Sequence, residues 1–346
     1  MKITKVQKFI KNNEAYLITN NYNISYLLEN DESLPEEKTA ILLITKKEVY
    51  IFKNPLSELK IGKRGISKNK IKIIVLSKET PLTKTLKDIF TLHNINNLFF
   101  EESDLKVKEL ETIKNNLRGV KFLKSNSFIE SLRITKTEEE IRLLKRAQTL
   151  SLKCLNKGIE FIKQNKLKHI TEKDLSAFLL YEINKIKDCK ESFSPVVAFD
   201  KNSAIPHHYP TNKKITKGVL LIDLGVKYKG YCGDITRTIY FGKPDRKFIY
   251  RYNLVKTAKN LATNEAKPGK SFYDIHQLVV DYFAKYKVDK YFIHSIGHGI
   301  GREVHEKPIV SAGDKLTKNC VITIEPGLYF PNKYGIRIED MVVISE

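Results

Sequence analysis

Three short runs in this chain lead an apolar strand into a carboxylate. They are Val219-Leu-Leu-Ile-Asp223, Val321-Ile-Thr-Ile-Glu325 and Gly335-Ile-Arg-Ile-Glu339. Runs rich in Val and Ile belong inside a sheet. An ionised carboxylate left alone there is costly, so each strand must end near a cation or a hydrogen-bonding partner. Asp234, in Gly230-Tyr-Cys-Gly-Asp-Ile-Thr-Arg-Thr, and His298, in His294-Ser-Ile-Gly-His-Gly-Ile-Gly, extend the set. Each has an ordinary explanation when taken singly. A strand-end Asp often shapes a turn, Glu339 could pair with Arg337, and a Gly-flanked His could be structural. Taken together, four carboxylates carry about −4 and two divalent cations would carry +4. Oxygens with one imidazole form a hard donor set, suited to Mn, Co, Fe or Zn rather than to soft metals.

A chain of 346 residues is long enough for about two domains. No stretch approaches the roughly 18 consecutive apolar residues of a membrane span, so no membrane partner is expected. The start, Met1-Lys-Ile-Thr-Lys-Val-Gln-Lys-Phe-Ile-Lys, has basic residues but no apolar core, and a secretory signal is not expected. Cys154, Cys189, Cys232 and Cys320 are far apart and form no CxxC pair. Reduced thiols in a cytoplasmic protein are the expectation. The net charge of +21 raises the question of nucleic acid. Only 10 of the 61 basic residues are Arg, however, and Lys is mixed with Glu and Asp throughout. No basic block or basic-aromatic motif stands out, so the charge is read as compositional bias and nucleic acid is not the expected partner.

The first ~125 residues alternate strand and helix patterns, which indicates a small α/β domain. Ala40-Ile-Leu-Leu-Ile-Thr and Glu48-Val-Tyr-Ile-Phe predict a hairpin around Lys46-Lys47. Ile71–Leu76 reads as a strand, Leu82–Leu92 as a helix and Asn97–Glu101 as a strand. A break follows over 124–137. Thr137-Glu-Glu-Glu140 fits a capping box, and Leu144, Ala147, Leu150, Cys154, Ile159 and Ile162 keep helical spacing behind it. Further helices are predicted over 171–186, 246–266 and 271–286. Strands are predicted over 219–223, 231–241, 321–325 and 335–344. The domains are placed at 1–125 and 130–346, the second mixing helices with a largely antiparallel sheet.

The ordered pieces Ile222-Asp-Leu-Gly, Tyr228-Lys-Gly-Tyr-Cys-Gly-Asp-Ile-Thr-Arg-Thr, His294-Ser-Ile-Gly-His-Gly-Ile-Gly, Val304-His-Glu-Lys-Pro, Ile324-Glu-Pro-Gly-Leu-Tyr and Gly335-Ile-Arg-Ile-Glu-Asp resemble the pita-bread metallopeptidases, in their aminopeptidase P and prolidase branch. The resemblance covers about 130–346. It is weaker before that, where Asn23-Ile-Ser-Tyr-Leu-Leu is similar to the family's N-terminal domain but Glu29-Asn30 replaces the usual Gly-Phe. It implies an α+β fold: a C-terminal pita-bread catalytic domain behind a smaller creatinase-like α/β domain. It implies two divalent metal ions, manganese first, with cobalt, zinc or iron as alternatives. Asp223 would bind one metal, Asp234 and Glu339 would bridge both, and His298 and Glu325 would bind the other. A hydroxide between the metals would attack the bond before proline, with Glu325 moving the proton. His305 and His207 would contact substrate; His208 is adjacent, and His207 is favoured. His294 and Tyr329 would line the leaving-group pocket, and Arg337 would orient Glu339 or a neighbouring acid. The implied partners are a proline-containing peptide or dipeptide and a second copy of the chain.

Two other functions compete. Gly297-His-Gly-Ile-Gly-Arg and His305-Glu-Lys-Pro also resemble methionine aminopeptidase, which generally lacks so long an N-terminal domain. A non-catalytic binding relative is the other, although such relatives usually lose metal ligands. The choice between aminopeptidase P and prolidase stays open. Gly297, Gly299 and Gly301 are read as allowing tight packing beside the His298 strand, not as a phosphate loop.

Overall fold

Residue alternation builds the first of the two units, Met1–Leu132 and Arg133–Glu346, into which the chain divides. The computed structural model describes residues 2–30, 38, 40–56, 61, 71–165, 169–311 and 313–345. In the first unit the described elements are α1 (Lys2–Phe9), β1 (Glu14–Ile18), α2 (Asn21–Leu27), β2 (Ala40–Thr45), β3 (Val49–Lys53), β4 (Ile71–Val75), α3 (Leu82–Leu92), β5 (Asn97–Phe100), α4 (Val107–Asn116) and β6 (Lys121–Lys124). The strands form one sheet in the order β4-β3-β2-β1-β5-β6. The predicted β2–β3 hairpin is antiparallel, with Ile44 opposite Val49, while β1 pairs with β5 in parallel. Successive side chains point to opposite faces. Tyr16 and Ile18 therefore join Ile3, Val6 and Ile24 of α1 and α2 in one core, and Ala15 and Leu17 join Leu86, Ile89 and Ile113 of α3 and α4 in another. The helix α5 (Phe128–Ile134) spans the division between the units.

The second unit begins with the long helix α6 (Glu138–Gln164). Both capping-box hydrogen bonds are present: Thr137 Oγ1 accepts from Glu140 N, and Glu140 Oε2 accepts from Thr137 N. After α7 (Glu172–Asn184), β7 (Cys189–Glu191) and β8 (Val196–Phe199) come β9 (Gly218–Leu224), β10 (Val226–Tyr228), β11 (Tyr231–Cys232) and β12 (Ile235–Phe241). Two helices follow, α8 (Arg246–Glu265) and α9 (Phe272–Lys285), and then β13 (Val321–Ile324), β14 (Gly327–Phe330), β15 (Tyr334–Arg337) and β16 (Asp340–Val343). All described strand pairs of this unit are antiparallel, in agreement with the α+β pita-bread arrangement. Leu150, Cys154, Leu175 and Leu179 of α6 and α7 cover Leu220 and Ile222 of β9. Val255, Ala258, Ile275 and Val279 of α8 and α9 cover Ile322, Ile324 and Leu328. Two helix pairs thus bury the apolar halves of the acid-ended strands.

Two predicted strands are each broken in the structure. The run 231–241 divides at Gly233-Asp234, and 335–344 divides at Ile338-Glu339. At Gly233 an added Cβ would stand 2.8 Å from the carbonyl oxygen of Ala147, so α6 crosses against bare backbone there. Both breaks fall at an acid of the candidate site.

Candidate metal centre

The broken strands converge on one cavity of about 750 Å³, lined by Asp223, Asp234, His298, Glu325 and Glu339 together with His207, His208, His294, His305 and Arg337. All five candidate ligands come together. Asp223 is near the end of β9, where it lies opposite Thr236 of β12. Glu339 follows β15; its Oε2 accepts from Thr236 Oγ1 at 2.6 Å, and its backbone N donates to Thr236 O at 3.1 Å. His298 and Glu325 share Thr323, whose Oγ1 accepts from His298 N at 3.0 Å and donates to Glu325 Oε1 at 3.3 Å. The 296–300 segment lies beside β13, with Thr323 N donating to His298 O and Glu325 N to Ile296 O. A Cβ on Gly297 would come within 2.0 Å of Thr323 O, which is why glycine flanks the histidine.

Donor atoms of Asp234, His298 and Glu339 lie within 4.8 Å of one another. His298 Nδ1 is 3.1 Å from Gly299 O, while Nε2 is 3.4 Å from Glu325 Oε1 and 3.7 Å from Asp234 Oδ2. A proton on Nδ1 bound to that carbonyl turns the Nε2 lone pair toward two carboxylates. Burial, with His305 adding to it, lowers the His298 pKa to about 4, so the ring is neutral at pH 7. A lone pair facing carboxylates needs a cation between them. Asp223 tells the same story: Oδ2 accepts from Arg337 Nη2 at 2.6 Å, whereas Oδ1 is buried without a partner.

Electrostatics agree. Burial, then Glu339, Asp223 and Glu325, push the Asp234 pKa well up. Burial, then Glu325 and Asp223, do the same to Glu339. Burial and Asp223 raise Glu325 to about 7 against the opposing pull of Arg337. Arg337 is the only Lys or Arg on the cavity wall among the described residues. One guanidinium faces four carboxylates, so the residues present fit divalent cations.

Arg337 binds Asp223 and not Glu339, because it lies at the end of β15 with its fork turned across the site. Its Nε donates to Thr236 Oγ1, its Nη1 donates to Tyr329 OH at 2.7 Å, and Pro206 O accepts from Nη1 at 3.3 Å. Tyr329 OH is 2.9 Å from His294 Nε2, and His294 Nδ1 is 2.8 Å from Ser295 O. Donation therefore runs in one direction, from Arg337 through Tyr329 and His294 to a backbone carbonyl. Burial, reinforced by Arg337, lowers the His294 pKa to about 4. Tyr329 is not on the cavity wall and instead holds His294 and Arg337 from within it. The His305 ring stands edge-on to His298 with centroids 4.3 Å apart. Thr236 and Thr323 were not singled out in the sequence. Each stands two residues from a candidate ligand, and that spacing was the available signal.

The metallopeptidase family M24 pattern matches residues 142–346, and the creatinase/prolidase N-terminal domain pattern matches 2–135. The chain is 32% identical to an Xaa-Pro dipeptidase of Pyrococcus horikoshii over 350 aligned positions, covering 100% of this chain and 94% of that one. The structure superposes on an Xaa-Pro dipeptidase from Bacillus anthracis with a TM-score of 0.86, at 27% identity, covering 99% of this chain and 94% of that one. An X-Pro aminopeptidase from Thermotoga maritima gives 0.82 at 27% identity, covering 99% and 95%. With that coverage and an oxygen-rich site fitted to divalent cations, the chain belongs to metallopeptidase family M24 and is a metallo-exopeptidase.

Proposed function

We propose that this enzyme hydrolyses the peptide bond before proline, as an aminopeptidase P or a prolidase, with two divalent cations held by Asp223, Asp234, His298, Glu325 and Glu339. The supporting observation is four carboxylates and a neutral imidazole meeting in one cavity that, among the described residues, offers only the Arg337 guanidinium as a cation of its own. Asp234 and Glu339 would bridge, Asp223 would complete one site, and His298 and Glu325 the other. When bound, the pair would supply a hydroxide near neutral pH and polarise the scissile carbonyl. Arg337 orients Asp223 through its Nη2. Glu325 carries the proton at its carboxylate toward the departing proline nitrogen. His305 and His207 donate hydrogen bonds to the substrate carbonyl as negative charge builds on it. His294 borders the leaving group.

Proline follows from what the cavity offers. Phe193, Pro195, Val196, Val304 and Val310 line it beside the acids. A bond before proline is a tertiary amide with no N–H. A secondary amide would bring an extra donor against that apolar wall, at a cost of ~1–3 kcal/mol if it finds no partner. Manganese is proposed as the resident metal from the hard donor set. The four thiols are free, which supports a cytoplasmic placement. No helix of the described residues is long and apolar enough to cross a membrane. A homodimer is proposed from the family resemblance. The chemistry is assigned to the domain over 130–346.

The test is turnover of Ala-Pro, Ala-Pro-Ala, Ala-Ala, Ala-Ala-Ala and Met-Ala-Ser by metal-stripped protein resupplied with Mn, Co or Zn. Preference for each proline peptide over its alanine counterpart, with two metals per chain by elemental analysis, is expected. Equal kcat/KM within each pair would end the proline assignment. Faster cleavage of Ala-Pro than of Ala-Pro-Ala would favour prolidase.

A further inference from the structure

Glu172, the first residue of α7, takes no part in the chemistry described above, yet it is completely buried. It collects donors from a segment about 30 residues further on. Oε1 accepts from Phe199 N at 2.7 Å and from Asn202 Nδ2 at 2.9 Å. Oε2 accepts from Thr211 N at 2.9 Å and Thr211 Oγ1 at 2.6 Å, and lies 2.9 Å from His208 Nε2. Burial pushes its pKa up, but hydrogen bonds from Thr211, His208 and Phe199 outweigh that and hold it low. The carboxylate is therefore a charged knot tying both ends of the 199–211 segment to a helix.

The same segment is held from the other side. Ser203 Oγ accepts from Gly335 N at 2.8 Å, and Pro206 O accepts from Arg337 Nη1. His207 is thus the single residue between a carbonyl held by Arg337 and a ring held by Glu172. Pro206 and Pro210 restrict the backbone on both sides. Both histidines border the cavity, but the His208 side chain is only 9% exposed with its Nε2 on Glu172, whereas His207 is exposed.

We propose that Glu172 and His208 are positioning residues, a latch that turns His208 inward and presents His207 to the substrate. The proposal rests on the Xaa-Pro peptidase reading. His208 acts through His207, so the two substitutions are not independent.

A double-mutant cycle on Ala-Pro hydrolysis tests this. His208→Ala is expected to lower kcat/KM by roughly 10- to 100-fold, the scale of a catalytic group misplaced by about 1 Å. In a His207→Ala background the same change should cost less than about threefold. His208→Gln, whose amide can still donate to Glu172, should restore most of the rate. Equal factors in the two backgrounds, or a wild-type rate in His208→Ala, would overturn the positioning role. Amide hydrogen exchange gives an answer without turnover. Glu172→Gln, and His208→Ala, which spares the other Glu172 hydrogen bonds, should speed exchange in 199–211 by roughly tenfold or more while leaving α8 and α9 unchanged. Unchanged exchange in 199–211 would refute the latch even if no proline peptide were cleaved. Wild-type protein that ignores every proline peptide would defeat the peptidase reading separately.

Discussion

Glu306 and Asp234 are both buried carboxylates of the catalytic unit, and the protein treats them oppositely. Glu306 is paired with Arg133 and, at 2.8 Å, with Lys136, all three nearly inaccessible. Burial pushes its pKa up, yet the two cations overcome that and hold it down at about 2. Asp234 has no such pair, and burial with three neighbouring acids drives it the other way. Glu306 follows His305 in the Val304-His-Glu-Lys-Pro motif, but its charge is already neutralised within the chain. The acids around Asp234 are left short of positive charge by design of the fold, and the fitted remedy is metal.

The contrast breaks most readily at activity. Asp234→Ala is expected to abolish turnover in saturating metal while the protein still folds, because in the proposed role a bridging carboxylate would serve both cations. Glu306→Gln should still take up two metals per chain. Steady-state assays and elemental analysis check both. More than about a tenth of wild-type turnover in Asp234→Ala, a barrier change under ~1.4 kcal/mol, would remove the bridging role.

Stability sharpens the contrast by its sign. Glu306→Gln leaves Lys136 buried without its counter-charge and removes one of two acid partners of Arg133, which keeps Glu303 at 2.9 Å, and should cost about 3 kcal/mol in urea unfolding. Asp234→Asn in metal-free protein removes a charge the folded state resists, and should raise the urea midpoint. Destabilisation by both would mean that the pocket acids are compensated internally after all.

The pH dependence of metal-free protein separates the two sites once more. Glu306 is held below its ordinary 4.5, so its contribution is complete above pH 4.5 and is lost as pH falls toward about 2. Glu325 is raised from 4.5 to about 7, so its site favours folding below pH 4.5 and loses that advantage as pH rises through 7. Urea midpoints should therefore peak in between. Glu306→Gln should flatten the acid limb and Glu325→Gln the neutral one. Added manganese should lift the neutral limb, since ionised ligands then gain a partner.

How much of this was legible in the sequence follows from the range of each signal. Local patterns worked: the α6 capping box, the 82–92 helix and the β2–β3 hairpin are set by residues a few positions apart. The meeting of the five candidate ligands in one cavity was legible because a carboxylate ending an apolar run is conspicuous and the motifs keep a family order. The breaks at Gly233 and Ile338 were not, since a period-2 pattern continues through both and only the approach of α6 to Gly233 forbids a side chain there. Nor could the sequence show which buried acids are paired. Glu306 meets partners 173 and 170 residues away, and Glu172 looks like any acid in a helix's first turn.

Glu101, in the first unit, supplies the intermediate case and the smallest expected effect. It is 1% exposed. Neutral donors meet it: Thr19 N and Asn20 N at 2.7 Å, and Asn23 Nδ2 at 2.6 Å. Burial raises its pKa to about 7 even though these hydrogen bonds oppose it. Neutral donors thus fall between the cations of Glu306 and the acids around Asp234. A carboxyl raised in the folded state favours folding below pH 4.5, and that advantage fades as pH climbs through 7. Glu101→Gln removes this slope but supplies one acceptor oxygen where Glu101 has two, a loss of ~1 kcal/mol. Near pH 7 the gain and the loss oppose each other, so the net change should be smaller than the slope alone would give. Hydrogen-exchange protection of residues 19–27 at pH 5 and pH 7.5 reads it directly. The wild type should lose protection at the higher pH, and the variant should show nearly the same protection at both. A wild-type chain equally protected at both pH values would show that neutral donors stabilise a buried carboxylate as well as Arg133 and Lys136 stabilise Glu306.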